Sequence, residues 1–371
     1  MKRVLISAIA AGALLGQLHA VEVYKDGDKS FGVFGVANAV LGYGFKSGNV
    51  LPHQGEFISG IQGNSRIGIN FTVGKVFGAA LIGVGEATLR GAGSNTGFRQ
   101  IYAGYDFGDA GRLLAGKNEL VTSMGGFSSS IFDTESGLQG FGGVSTSTRR
   151  LQIAYSVAGL TFSISENDLS TKSVTGGGYE VPRFSLGYEY KDSSIRAKVA
   201  AAYAWRNDKT QATKSAFFLT AGVKPTFGEQ YVSALLSYGF NADKFAQNGG
   251  DMKIATPSLS EGFQNVGVST GVSQTNQTNL VAVMLEYGVN LTSDFALKVG
   301  VGYQYAKAQN NPANHHSYAG FVQLPYKVGG GFSIIPQVGY LGTTIKNDNP
   351  AGASYDNTGS VLAEVLFKIA F

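Results

Sequence analysis

The chain has 371 residues with no cysteine, 8 prolines, 53 glycines, 18 tyrosines and 24 phenylalanines, and its formal charge is +4. Glycine stands at roughly double its usual share of about 7%, which disfavours a helical protein and suits closely packed strands and positive-φ loops. So small a charge is no footprint for nucleic acid, and no internal apolar run approaches the roughly 20 residues of a membrane helix.

The N-terminus reads as an export signal over 1–20. Lys2 and Arg3 form its basic start, Val4 to Leu15 its apolar middle, and Leu18-His19-Ala20 its cleavage site. Loss of Lys2 and Arg3 leaves 27 bases against 25 acids, so the mature chain carries +2. One domain, 21–371, follows without a linker, heptad run or repeat. An exported chain without cysteine has no disulfide staples, which leaves a large closed sheet to hold it.

Along this domain a two-residue period recurs. Ile67, Ile69, Phe71 and Val73 share one face against Arg66, Gly68, Asn70 and Thr72. Ile195 to Trp205, Phe295 to Tyr305 and Tyr318 to Val328 alternate likewise, with aromatics gathering at segment ends as in an interfacial girdle. Residues 77–89 and 98–107 carry apolar groups on both faces and stay ambiguous.

Connectors alternate in length. Short ones fall at 74–75, 108–111, 158–159, 191–194, 227–229, 292–294 and 329–330. Long ones lie near 46–63, 119–148, 168–179, 241–278 and 344–359. Tight turns at one rim and loops at the other, with about 16 strands between, predict an all-β transmembrane antiparallel barrel. Its neutral mean hydropathy is expected, because half of each strand faces lipid and half faces water.

At about 30 residues, the connector 119–148 exceeds an ordinary loop and invites a functional reading. It holds Asp133 and Glu135 together with Phe127, Ile131, Phe132, Leu138 and Phe141, which a wholly solvated loop has no use for. At the end of the chain, Val361, Ala363, Val365, Phe367, Ile369 and Phe371 share one parity, while Glu364 and Lys368 take the other. His53 and His315-His316 follow the leader without cysteine or spaced acids, so no metal site, cofactor or catalytic group is expected.

The opening Val21-Glu-Val-Tyr-Lys-Asp-Gly-Asp-Lys-Ser-Phe-Gly-Val-Phe-Gly and the terminal Phe371 resemble the two ends of Gram-negative general-diffusion porins. Ser65-Arg-Ile-Gly-Ile-Asn-Phe is similar to their second strand, which turns an arginine into the lumen. Arg-Gln-Ile-Tyr-Ala-Gly-Tyr-Asp-Phe from Arg99 resembles their fourth, and Gly116-Lys-Asn118 stands where a Gly-Arg pattern is common. The resemblance implies a passive outer-membrane channel for ions and small hydrophilic solutes. It further implies a homotrimer among lipid and lipopolysaccharide, and a third loop, 119–148, folded into the barrel.

The expected constriction is then Arg66, Arg99, Lys117 and Arg149 on the wall, facing Asp133 and Glu135. Arg149 and Arg150 are adjacent, so only one of them lines the pore. Two departures stand out. The Pro-Glu-Phe-Gly-Gly stretch of the inward loop is replaced by Gly125-Gly-Phe127 and Gly140-Phe-Gly-Gly143. The second loop, Arg90 to Gly97, is short, so the latch onto a neighbouring subunit is missing. A selective porin for sugars or organic anions would need lumenal aromatics or a tight basic cluster; the lumen parity reads mainly as Gly, Ala, Ser and Gln. A surface adhesin working through its outer loops is the reading from another class.

Overall fold

The computed structural model describes residues 20–48, 54–62, 65–83, 97–130, 149–166, 179–180, 182–208, 211–240, 278–308, 313–347 and 355–371. The first half of the chain forms β1 Val21–Asp26, β2 Lys29–Gly48, β3 Gln54–Ile61, β4 Arg66–Val73, β5 Val76–Gly83, β6 Gly97–Asp106, β7 Arg112–Glu119, β8 Arg149–Val157, β9 Leu160–Ser165 and β10 Tyr179–Glu180. The second half adds β11 Arg183–Lys191, β12 Ile195–Asp208, β13 Gln211–Phe227, β14 Gln230–Phe240, β15 Thr278–Asn290, β16 Ala296–Ala308, β17 Ala313–Gln323, β18 Tyr326–Gly329, β19 Phe332–Asn347 and β20 Tyr355–Ala370.

All these strands belong to one antiparallel sheet, and several are halves of one stave. β3 and β4 lie end to end along β2 (Ala39↔Ile61, Val36↔Arg66). β10 and β11 share β12, and β17 and β18 share β19. Two of these breaks sit at Pro182 and Pro325, whose missing N–H interrupts a ladder. With β1 a hairpin arm on β2, the result is a closed barrel of sixteen staves. Short turns fall at the one rim where they were expected, while much of the long connectors lies outside the described residues.

Closure runs from Val36↔Ala370 to Gly48↔Thr358 between β2 and β20. Beyond it, the Phe371 N–H donates to the Gly35 carbonyl at 3.0 Å, and the Gly35 N–H to the Phe371 carbonyl at 2.8 Å. A Cβ at Gly35 would collide with the Phe371 ring. Glycine there lets the terminal aromatic lie flat over the seam.

The two-residue period assigns the faces. Val361, Ile369 and Phe371 are 44–49% exposed on the outer wall, while Leu362, Glu364 and Leu366 are buried within. Matching outward rows carry Leu41 and Tyr43 on β2, Leu186 and Tyr188 on β11, and Val301 and Tyr303 on β16. Such rows suit contact with lipid.

The inner parity is more apolar than the expected run of Gly, Ala, Ser and Gln. Phe218, Leu235, Leu280, Met284, Phe321 and Leu341 are buried on it, and Met124 and Phe127 join them in one cluster. Inward Leu81 also explains why 77–83 read as two-faced: it meets Phe34 over Gly68 while neighbouring Ile82 faces out.

Candidate functional site

β7 delivers the chain into the barrel at Leu120. From there residues 120–130 follow the inner wall without regular structure, and wall side chains supply their hydrogen bonds. Arg183 on β11 donates to Thr122 Oγ1 at 2.7 Å. On β12, Lys198 donates to the Ser123 carbonyl and Arg196 to the Gly125 carbonyl, both at 2.6 Å. Lys224 on β13 reaches the Gly126 carbonyl at 3.0 Å, and Ser233 on β14 the Phe127 carbonyl at 2.7 Å.

Glu286 on β15 accepts the Ser129 N–H at 2.8 Å and the Tyr231 hydroxyl at 2.6 Å. Gln323 on β17 donates to the Ser129 carbonyl and Gln337 on β19 to Ser130 Oγ. Two turns, closed by the Ser123 N–H to the Leu120 carbonyl and the Phe127 N–H to the Met124 carbonyl, shape the segment, which runs as a strap along the wall from β11 to β19. Phe127 pins its middle: the Arg196 guanidinium lies 4.7 Å from its ring centroid, and a Cβ on Gly222 would stand 2.8 Å from the ring.

Beside the start of the strap the charges converge. Glu119 ends β7 directly opposite Arg149, which opens β8, and the two form an ion pair at 3.4 Å. Gln100 donates to the same Glu119 oxygen at 3.3 Å. Arg66 and Arg99 both lie within the electrostatic reach of Glu119 and Arg149. This brings together three of the six residues expected at the constriction.

Arg99 gets there by an irregularity. Leu81 pairs with Gln100 and Ile82 with Phe98, so Arg99 is the extra residue of a β-bulge. Strict alternation would turn either Arg99 or Gln100 outward; the bulge re-aims the strand and brings both to Glu119. The same bulge accounts for the ambiguous pattern at 98–107.

Lys117 is a correction. Its ladder partners Ile101 and Leu151 are 49% and 59% exposed on the outer wall, and Lys117 shares their face. Its Nζ donates to the Phe98 carbonyl at 2.9 Å, the posture of a lysine lifting its charge toward a membrane rim. Of the adjacent arginines, Arg149 joins the cluster, while Arg150 donates to the Arg149 carbonyl. Asp133 and Glu135 lie outside the described residues.

Motif likeness misses the other charged groups of the inner wall, among them Glu119, Glu286, Glu364, Lys298 and Lys368 as well as the strap-binding Arg183, Arg196, Lys198 and Lys224. For Lys298 and Lys368 the period-two signal is present in the sequence. A cavity of about 110 Å³ separates the strap from the wall, with Glu119, Gln152, Thr161, Glu189 and Lys198 on its sides. That is room for a few waters.

No protein-family model matches the sequence, and no curated protein does. Solved structures do. The outer-membrane channel DcaP of Acinetobacter baumannii is 16% identical with a TM-score of 0.62, over 95% of this chain and 100% of that one. An anion-selective porin from Comamonas acidovorans is 14% identical with a TM-score of 0.58, over 92% and 100%. OmpF of Salmonella typhi, in complex with daunomycin, is 13% identical with a TM-score of 0.51, over 93% and 100%. At these identities the likeness is one of fold: the chain has the sixteen-strand barrel of outer-membrane porins.

Proposed function

We propose that this chain is a passive channel of the Gram-negative outer membrane, carrying ions and small hydrophilic solutes down their gradients. The observation that carries the reading is the charged interior of a closed barrel: Arg66, Arg99 and Arg149 gathered about Glu119 beside a strap that crosses the lumen wall. Charges cost several kcal/mol when taken out of water, so a wall that concentrates them implies a wet passage. The outward rows of aliphatic and aromatic side chains suit lipid on the other side.

In this reading the loop 119–148 narrows the passage, with the arginine cluster on the opposing wall. The loop acids Asp133 and Glu135, together with Glu119, supply the negative side of a transverse field. The assembly is a homotrimer embedded in lipid and lipopolysaccharide. Transport of this kind makes and breaks no bond and asks for no catalytic residue or cofactor.

The test is the conductance of the purified full-length chain in a planar bilayer, joined to liposome swelling with sugars of graded size. A steady aqueous conductance and a sharp size cut-off are expected. A protein that inserts as a heat-modifiable barrel yet passes no current would overturn the reading in favour of a surface adhesin.

A further inference from the structure

A cluster of polar aromatic side chains stands on the outer wall where β16, β17 and β19 approach a rim. Ala308, at the end of β16, pairs with Thr278, where the connector 241–278 ends, so this is the rim of the long loops. In an outer-membrane barrel that rim faces the cell exterior. Tyr303 and Tyr305 of β16 stand opposite Tyr318 and His316 of β17. The Tyr303 hydroxyl lies 2.7 Å from His316 Nδ1, and the Tyr305 hydroxyl donates to Asn314 Oδ1 at 3.2 Å. The Tyr305 and His316 ring centroids are 5.1 Å apart. Tyr318 in turn stacks on Tyr340 of β19, with centroids 5.9 Å apart and planes 22° from parallel. Glycines make the floor: a Cβ at Gly342 would run into the Tyr318 ring, and one at Gly359 into the Tyr340 hydroxyl. The rings therefore lie low over the wall, and Tyr303, Tyr318 and Tyr340 remain 36–40% exposed.

Hydrogen-bonded hydroxyls and a histidine are more than contact with hydrocarbon asks for; they suit a boundary that is apolar on one side and polar on the other. The charge of the patch has one sign. Lys307, two positions past Tyr305, is exposed, and the ladder sets Lys346 of β19 opposite Asn314. The other ladder partners of Lys307, Tyr305, His316 and Tyr318 include Asn279, Val281, Thr344 and Gly342, all uncharged. Among the described residues no acid stands across the ladder from this face. The patch is also continuous with the apolar outward rows below it, through Val301 on β16 and Val322 on β17.

We propose that this patch docks the phosphorylated sugar headgroup of an outer-leaflet glycolipid. Lys307 and His316 address the phosphate, the low-lying tyrosines and their hydroxyls take the sugar face, and the acyl chains continue along the apolar rows. A sugar phosphate uses both halves of the patch, whereas a bare phosphate leaves the tyrosine platform unused. The site asks nothing of the lumen, so a barrel that passes no current would still carry it.

The experiment is binding of diphosphoryl lipid A to the purified full-length protein in detergent, followed by native mass spectrometry. Dephosphorylated lipid A and phosphatidylglycerol are measured beside it. The variants are Lys307→Gln, His316→Gln, the double variant, the charge-keeping Lys307→Arg, and Lys327→Gln at the short-turn rim. A base beside a charged lipid surface contributes roughly fivefold in binding. Lys307→Gln should thus lose about that factor and the double variant more, while Lys307→Arg and Lys327→Gln should lose nothing. Both comparison lipids should bind more weakly than diphosphoryl lipid A, and every variant should keep the heat-modifiable barrel. Unchanged affinity in the double variant overturns the proposal. So does phosphatidylglycerol binding as tightly as lipid A, or a loss in Lys327→Gln equal to that in Lys307→Gln.

Discussion

Glu286 is the residue whose loss should separate the strap from the barrel. Its carboxylate is 2% exposed and accepts two hydrogen bonds, from the Ser129 N–H at 2.8 Å and the Tyr231 hydroxyl at 2.6 Å. Hydrogen bonds to a charged group contribute about 1.5–3 kcal/mol each. Glu286→Ala removes both and strips Lys224 and Lys298 of their near countercharge. Breaking a buried charged network of this kind costs about 3–5 kcal/mol. The Ser129 bond is the part that falls on docking of the strap, while the Tyr231 bond joins β14 to β15 within the wall beside their backbone ladder. At 1.4 kcal/mol per tenfold, losing about 1.5–3 kcal/mol lowers the docked fraction relative to undocked by roughly one to two orders of magnitude.

Tyr231→Phe loses only a bond within the wall that orients the Glu286 carboxylate, and it keeps both the Ser129 bond and the ring that lies 4.0 Å from Lys224 Nζ, so it should lose less than Glu286→Ala. Single-channel noise and protease sensitivity of residues 120–130 report docking, while the heat-modifiability transition reports the barrel. Glu286→Ala should be noisy and cleaved, Tyr231→Phe intermediate, and the barrel transition unchanged in both. Quiet currents and an uncut strap in Glu286→Ala would refute the claim that this carboxylate holds the segment.

Two other perturbations reach different parts of the molecule. Deleting Phe371, or substituting Gly35→Leu, removes or displaces the paired backbone bonds at the seam. Either should reduce the amount of heat-stable inserted barrel, and normal yields from both would count against a role in closure. At the short-turn rim, the Tyr190 hydroxyl, the Ser194 and Ile195 N–H groups and the Ser194 hydroxyl hold the exposed Asp192 carboxyl down at about 2. A depressed carboxylate stabilises the fold above its unfolded value of about 3.9 and loses that contribution as pH falls through the folded one. The stability difference between wild type and Asp192→Asn should therefore be constant at neutral pH, shrink from about pH 5 downward and level off near pH 1, below both values; a difference that does not change across this range would refute it.

The barrel was legible because its signal is repeated many times. Alternation in 65–73, 195–205, 295–305 and 361–371 was read correctly, and so was the sorting of short turns to one rim. What period two cannot show is where the period fails. Arg99 enters the lumen through a bulge that depends on how Leu81 and Ile82 pair, a fact of the neighbouring strand. Arg149 and Glu119 turn in together at strand ends, where the wall gives way to the strap and parity no longer rules. Lys117 kept its parity, and motif likeness placed it wrongly. The apolar inner patch was hidden for a similar reason: Leu362 and Leu366 flank Glu364 on one face, and the charge drew the eye to a polar lumen. The strap's Met124 and Phe127, in one buried cluster with Phe218, Leu280 and Leu362, show why Leu362 belongs inside.

The strap also orders events in time. Its bonds join Ser129 to Glu286, Ser129 to Gln323 and Ser130 to Gln337, partners 157, 194 and 207 positions apart along the chain. Contacts so distant in sequence form late, after the entropy of closing the intervening loops has been overcome. The strap's far anchor lies on β19, next to the final strand, so it cannot finish docking until nearly every stave is in place. Docking of the strap is then the last act of assembly, and a newly closed barrel passes through an unstrapped state. Time-resolved insertion into a bilayer should show large, unsteady openings that settle to the final conductance, with the settling rate slowed by any change at Glu286 that leaves the barrel whole.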